Sequence, residues 1–236
     1  MSTMKAFVMP EVGTTDVVDK PIPEPGPDEV IVKTTHALIC TSDVHTVKGA
    51  LPVEPGVTLG HESIGVVHAS GSNVTGFTEG QRVAVNAITP CYKCRYCQSG
   101  YSSQCGGPLG GYQYTAQRDG NMSEYFMVPN AMANLAPIPD DVSDEAAVYA
   151  CDMLSTGIMG AEHCYLKIGD SVAIFALGAV GLSATIGATM LGAGRIYAVE
   201  SIPGRQELAR AYGATDIIDF TQGDAVEQIM DATGGE

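Results

Sequence analysis

In the first half of the chain, apolar and β-branched residues come in short runs, at residues 5–9, 29–38, 62–69 and 82–87. Turn-forming stretches separate them, among them Pro23-Glu24-Pro25-Gly26-Pro27 and Gly71-Ser72-Asn73. Short runs between glycine and proline turns predict strands, and together they predict a β-barrel-like domain. A long excursion follows, and residues 123–128 return to strand character. At Ser143 the texture changes. Ser143-Asp144-Glu145 offers an N-cap and an acidic first turn, and residues 152–165 continue helical after a break. The domain boundary therefore falls near residue 150. Beyond it, strands are expected at 171–176, 195–200 and 216–219, and helices at 178–191, 205–212 and 225–232. Alternating strands and helices imply a parallel sheet built by right-handed crossovers, so the fold class is α/β with a β-rich first domain. Three such units bring the chain to Gly234-Gly235-Glu236, where a doubly wound sheet ordinarily continues, so the sequence reads as cut short.

Composition narrows the function. With 236 residues, 45% of them hydrophobic and 17% charged, the chain can bury a substantial core. A net charge of −15 and a pI near 4.5 repel phosphate backbones and anionic lipid, which argues against nucleic-acid and membrane-surface roles. No signal peptide and no membrane-spanning run is evident. Cysteines grouped at metal-binding spacing fit a reducing compartment, and the protein is expected to be cytoplasmic.

The most specific chemical statement is Cys91-Tyr-Lys-Cys94-Arg-Tyr-Cys97, completed by Cys105. Four thiolates so spaced can surround a tetrahedral Zn²⁺ and leave no position open, so a metal in this lobe, residues 90–106, is structural rather than catalytic.

Ala176-Leu177-Gly178-Ala179-Val180-Gly181 lies between an expected strand and helix, where a G-x-G-x-x-G turn sets a coenzyme pyrophosphate on a helix N-terminus. The first glycine is alanine here. Glu200 closes the second strand, placed to accept hydrogen bonds from an adenosine ribose. Its charge opposes a 2′-phosphate and favours NAD, while Arg205 leaves NADP possible.

A second metal constellation is spread wider: Cys40, Ser42 and His45, then His61-Glu62, then Cys151-Asp152. One thiolate, one imidazole and one carboxylate can hold Zn²⁺ with an open fourth position. A buried cysteine, a core histidine and a capping aspartate explain the same residues equally well.

Taken together, Gly60-His61-Glu62, the Cys40/Ser42/His45 segment, the four-cysteine lobe, Ser155-Thr156-Gly157 and the Gly178–Gly181 turn resemble the zinc-dependent medium-chain alcohol dehydrogenases. Ala87-Ile88-Thr89-Pro90 and Asp152-Met153 resemble their microbial secondary-alcohol (isopropanol-type) branch. The resemblance covers essentially the whole chain. It implies a GroES-like catalytic domain at 1–150 and the first half of a Rossmann NAD-binding domain at 151–236. It further implies Cys40, His61 and Asp152 as ligands of a catalytic zinc, with the adjacent Cys151 as a competitor for the last place. Glu62 is implied as a carboxylate beside the metal, and Ala87 and Tyr112 as substrate-pocket positions. Ser42 is implied to take the alcohol proton and His45 to pass it to solvent. Two features depart from the branch. All four lobe cysteines are kept, giving two zincs per subunit, and Glu200 replaces a small residue, pointing to NAD.

The expected activity is hydride transfer between a small secondary alcohol, or its ketone, and NAD(H), in a homo-oligomer (dimer or tetramer). A primary alcohol, polyol or aldehyde substrate is the alternative within the family; a non-catalytic zinc- and dinucleotide-binding protein is the alternative outside it.

Overall fold

The computed structural model describes residues 2–108 and 110–235 and divides into two compact units, Met1–Asp152 and Met153–Glu236. The first is antiparallel. Strands β1 (Thr3–Met9), β2 (Asp16–Pro21) and β4 (Val57–Thr58) form one sheet in the order β2-β1-β4. Strands β3 (Val30–Leu38), β5 (Glu62–Ser70), β6 (Arg82–Val85), β7 (Tyr125–Val128) and β8 (Leu135–Pro137) form another, ordered β7-β3-β5-β6-β8. Val30, Val32, Val67, Val83, Val85, Phe126 and Val128 turn their alternate positions inward around Tyr114, whose ring meets Phe126 edge-on. One-sided burial of this kind follows from period-two patterning.

Short helices decorate this unit: α1 (Thr41–Val47), α2 (Arg95–Gln98), α3 (Ala131–Asn134) and α4 (Asp144–Ala147). The sequence pattern missed β2 and α1. β2 has only two β-branched residues among its six, and it is a strand because β1 supplies a partner, in the register Phe7↔Val17. α1, seven residues and about two turns long, is too short to show helical periodicity.

The second unit is a parallel sheet ordered β11-β10-β9, from β9 (Ser171–Phe175), β10 (Arg195–Val199) and β11 (Asp216–Ile218). Helices α5 (Met153–His163), α6 (Ala179–Met190), α7 (Pro203–Ala211) and α8 (Ala225–Thr233) accompany it. α5 and α6 approach closely because their contact is made of small residues. A side chain on Gly157 would strike Ser183 and Val180, and one on Gly187 would crowd Ile158 and Ala161. No helix among the described residues is long and apolar enough to cross a membrane.

Candidate functional site

Strand pairing assembles the first group. Leu38 at the end of β3 pairs with Glu62 at the start of β5, so the residues after one strand meet those before the other. Cys40 caps α1; its N–H donates to Asp43 Oδ2 at 2.9 Å, a capping-box contact that fixes the turn. His61 follows Gly60, whose φ of +93° and close approach to Met122 leave no room for a side chain. The 3₁₀ turn Val148–Cys151 then delivers Asp152, tied down by the Ala87 N–H, which donates to the Cys151 carbonyl at 3.2 Å.

The result is a four-residue cage: ligand atoms of Cys40, His61, Glu62 and Asp152 all lie within 4.8 Å of one another. His61 Nε2 faces Asp152 at 3.3 Å, Glu62 Oε1 at 3.7 Å and Ser42 Oγ at 3.3 Å. Its Nδ1 faces the other way, to Asp43 Oδ1 at 3.5 Å and the Tyr112 hydroxyl at 3.4 Å. Burial alone lowers the imidazole, but hydrogen bonds to Asp152, Asp43 and Cys40 outweigh it and push His61 up to about 12. Glu62 is fully buried, with neither carboxylate oxygen hydrogen-bonded; burial first, then the charge of Asp152, raises it. Anionic donors crowded around one imidazole, with orphaned carboxylate oxygens beside them, need a cation. One sulfur, one nitrogen and carboxylate oxygens suit Zn²⁺, so the residues fit the metal.

Cys151 is not part of this cage. Its thiol points at the Ser63 carbonyl, 3.5 Å away, among Ile64, Ile138 and Val148, and burial raises it to about 11. Ala87 is 1% exposed and packs in the interior. His45 is exposed on α1. Sequence reasoning passed over Asp43, although its position three residues after Cys40, at the start of a helix, is the spacing of a capping box. It also treated Tyr112 as a bare pocket position, whereas the ring packs edge-on against His61 with centroids 5.2 Å apart.

The second group is the lobe. The sulfurs of Cys91, Cys94, Cys97 and Cys105 also lie within 4.8 Å of one another, and none is in a disulfide. Backbone N–H groups point at the sulfurs, from Cys91 to Cys105 Sγ at 3.3 Å and from Lys93 to Cys91 Sγ at 3.4 Å. Those of Cys97 and Gly106 draw Cys94 down to about 6, while burial pushes Cys97 up and Cys105 up to about 12. This set fits a closed tetrahedral zinc.

The second unit holds the dinucleotide turn. Ala176 has φ +67°, a left-handed conformation that glycine adopts freely and alanine does not. Gly178 caps α6 and faces open space, where a Cβ would meet nothing within 4 Å; a Cβ on Gly181 would collide with the Ala176 carbonyl. The open cradle followed by the first turn of α6, at Ala179 and Val180, suits a pyrophosphate. Glu200 is 5% exposed, and its carboxylate is fully engaged. Oε1 accepts from the N–H groups of Ser201 (2.8 Å) and Ile202 (3.1 Å). Oε2 accepts from the Leu177 N–H (3.2 Å) and from Arg205 Nη1 (3.3 Å). Burial works to raise Glu200, but these donors hold it below the usual carboxylate range.

Comparison with known proteins accords with both units. Residues 26–140 match the family described as alcohol dehydrogenase GroES-like domain, and residues 179–236 match zinc-binding dehydrogenase. An alcohol dehydrogenase of Cupriavidus necator is 44% identical, covering 98% of this chain and 67% of its own length. The NADP-dependent isopropanol dehydrogenase of Thermoanaerobacter brockii is 42% identical, covering 99% of this chain and 66% of its own. Among solved structures, alcohol dehydrogenase TADH from Thermus sp. ATN1 superposes with a TM-score of 0.89 at 33% identity, covering 99% of this chain and 68% of that one. The chain thus spans about two thirds of the length of these relatives.

Proposed function

Given that the chain belongs to the zinc-binding alcohol dehydrogenases of the medium-chain family, we propose that it interconverts a small secondary alcohol and its ketone using a nicotinamide dinucleotide, NAD before NADP. The observation that carries this reading is the Cys40–His61–Glu62–Asp152 cage with the Ser42 hydroxyl beside it. A module that only bound a dinucleotide would have no use for that hydroxyl.

When bound, Zn²⁺ supplies Lewis acidity toward the alcohol or carbonyl oxygen, and the nicotinamide accepts or donates the hydride. Cys40, His61 and Asp152 would hold the ion, and the thiolate and carboxylate together balance its two charges. Glu62, buried behind them, is a spare donor within reach of the same point. Asp43 orients His61 by accepting from Nδ1, so that Nε2 keeps its lone pair toward the cage. Ser42 accepts the proton of the substrate hydroxyl during oxidation as its own hydroxyl proton passes on toward His45, and the transfers run in reverse during reduction. His45, exposed on the same helix, exchanges that proton with solvent.

We assign the catalytic domain to residues 1–150 and coenzyme binding to residues 151–236. There, the N–H groups of the Gly178-Ala179-Val180 turn take the pyrophosphate, and Gly181 keeps α6 against the strand. Glu200 reads the ribose hydroxyls, and its charge disfavours a 2′-phosphate beside it, partly offset by Arg205. Cys91, Cys94, Cys97 and Cys105 take a second, structural zinc. We place the protein in the reducing cytoplasm, because seven free cysteines and thiolate metal sites persist there, and we expect a homo-oligomer.

The test is the initial rate of propan-2-ol oxidation by the zinc-loaded protein, with NAD and NADP measured side by side. Turnover favouring NAD is expected. A faster NADP rate overturns the Glu200 assignment, and no turnover with either overturns the enzymatic reading.

A further inference from the structure

Three of the four cage residues come from the paired ends of β3 and β5, and Asp152 arrives from elsewhere. It ends a continuous helical run, α4 at Asp144–Ala147 followed by the 3₁₀ turn Val148–Cys151. One face of the run, Ala147, Val148 and Cys151, is buried with Ile64 and Ile138. Apolar packing holds the run to the sheet but is non-directional, so it does little to fix where the run lies along its own axis. A slip of one residue, about 1.5–2.0 Å, would carry the Asp152 carboxylate away from its neighbours in the cage.

Directional bonds hold both ends of the run, and β6 and the residues just after it supply them. At the far end, the N–H of Ala87, two residues past β6, donates to the Cys151 carbonyl at 3.2 Å. At the near end, Arg82, the first residue of β6, donates to Asp144 Oδ1 through Nε at 2.9 Å and through Nη2 as well. The same guanidinium gathers the turn that leads into the run: Nη2 donates to the Val142 carbonyl at 2.7 Å and Nη1 to the Pro139 carbonyl at 3.3 Å. Thr35 of β3 donates to the other Asp144 oxygen at 2.8 Å. From Arg82 to Ala87 the chain spans at most about 17 Å, and the run from Asp144 to Cys151 is about 11–14 Å long, so one strand can clamp both ends.

We propose, on the metal reading of the cage above, that Arg82 is a positioning residue for the catalytic metal. Through Asp144 and the two carbonyls it fixes the axial position of the helical run, and the run in turn sets the Asp152 carboxylate beside Cys40, His61 and Glu62. A lysine cannot replace it, because one ammonium cannot reproduce the planar fork that reaches a carboxylate and two carbonyls together.

The experiment challenges the cobalt-substituted protein, carrying Co²⁺ at lobe and cage, with increasing chelator at neutral pH. Cobalt held by four sulfurs and cobalt held by one sulfur, one nitrogen and carboxylate oxygens absorb differently, so the two sites are read separately in one titration. Arg82→Met is expected to weaken cage affinity about ten- to a hundredfold, the loss typical when a group that orients a ligand is removed, and to leave the lobe unchanged. Arg82→Lys is expected to fall between, and it carries the comparison alone should Arg82→Met fail to fold. Val83→Ala opens a cavity in the barrel core around Tyr114 and lowers stability there, yet is expected to keep wild-type cage affinity. Wild-type cage affinity in the Arg82 variants, or an equal loss in Val83→Ala, overturns the proposal. Cobalt absent from the wild-type cage overturns the metal reading and this proposal with it. Arg82-dependent cage affinity without propan-2-ol turnover upholds the proposal and overturns only the enzymatic reading.

Discussion

Single residues carry most of the chemistry, and two of them make sharp predictions. Ala176 sits at φ +67°, where an L-residue with a Cβ pays about 1–2 kcal/mol. Ala176→Gly removes that strain but adds freedom to the unfolded chain, so the net gain is about 0.5–1 kcal/mol. A rise in Tm of about 2 °C is expected in a thermal melt, and a fall would show that the turn tolerates alanine without cost. On the proposed proton-accepting role of Ser42, Ser42→Ala should lower kcat by roughly 10²- to 10⁴-fold, while zinc content by elemental analysis stays at the wild-type value. At this scale the sequence was legible where residues act through type and spacing. His61-Glu62, the four cysteines and the glycine turn all stood out. Asp43 did not, because its task depends on β3 and β5 bringing α1 against His61. Nor did the sequence reveal that the Glu200 oxygens are already taken, since three of their four donors are main-chain N–H groups and carry no side-chain signature.

At the scale of elements, the cysteine lobe stands apart from the sheets. Its one α-helix, α2, is four residues long, capped by Cys94 without a side-chain hydrogen bond, and far below the length at which a helix persists alone. With the structural zinc proposed above, metal binding and folding of this lobe would be one event. Cys94→Ser is expected to remove one equivalent of zinc and abolish hydrogen-exchange protection across residues 91–105, while β3 and β5 stay protected. Protection retained in the lobe would mean that its backbone hydrogen bonds suffice. The main strands were legible from alternation and turn residues, since their inward positions are valine, isoleucine and phenylalanine. β2 was not, because an edge strand of mixed polarity is fixed by its partner. β4, two residues long, lies below any sequence period.

For the whole molecule, the acidic balance makes stability depend on which carboxylates are paired. Burial works to raise Asp144, but hydrogen bonds from Arg82 and Thr35 hold it below the usual carboxylate range. A depressed carboxylate stabilises the fold at pH values above its unfolded value, and that contribution is lost as pH falls through the folded one. Arg82→Met should therefore move the acid-unfolding midpoint, followed by circular dichroism, to higher pH. The difference from wild type should narrow once Asp144 is protonated in both proteins; an unchanged midpoint would show that this ion pair is idle. The change from strand-only to alternating texture announced the two-part architecture, because barrel and crossover sheets impose different hydrophobic periods. Under the ribose-reading role proposed for it, the engaged state of Glu200 acquires a kinetic meaning. A ribose arriving there must exchange hydrogen bonds with Leu177, Ser201, Ile202 and Arg205 rather than find bare oxygens. Each departing coenzyme leaves behind a carboxylate whose partners stand ready to reclaim it. Such a site gives up binding strength and gains speed of release, the step that sets the pace of many enzymes that borrow a coenzyme and return it.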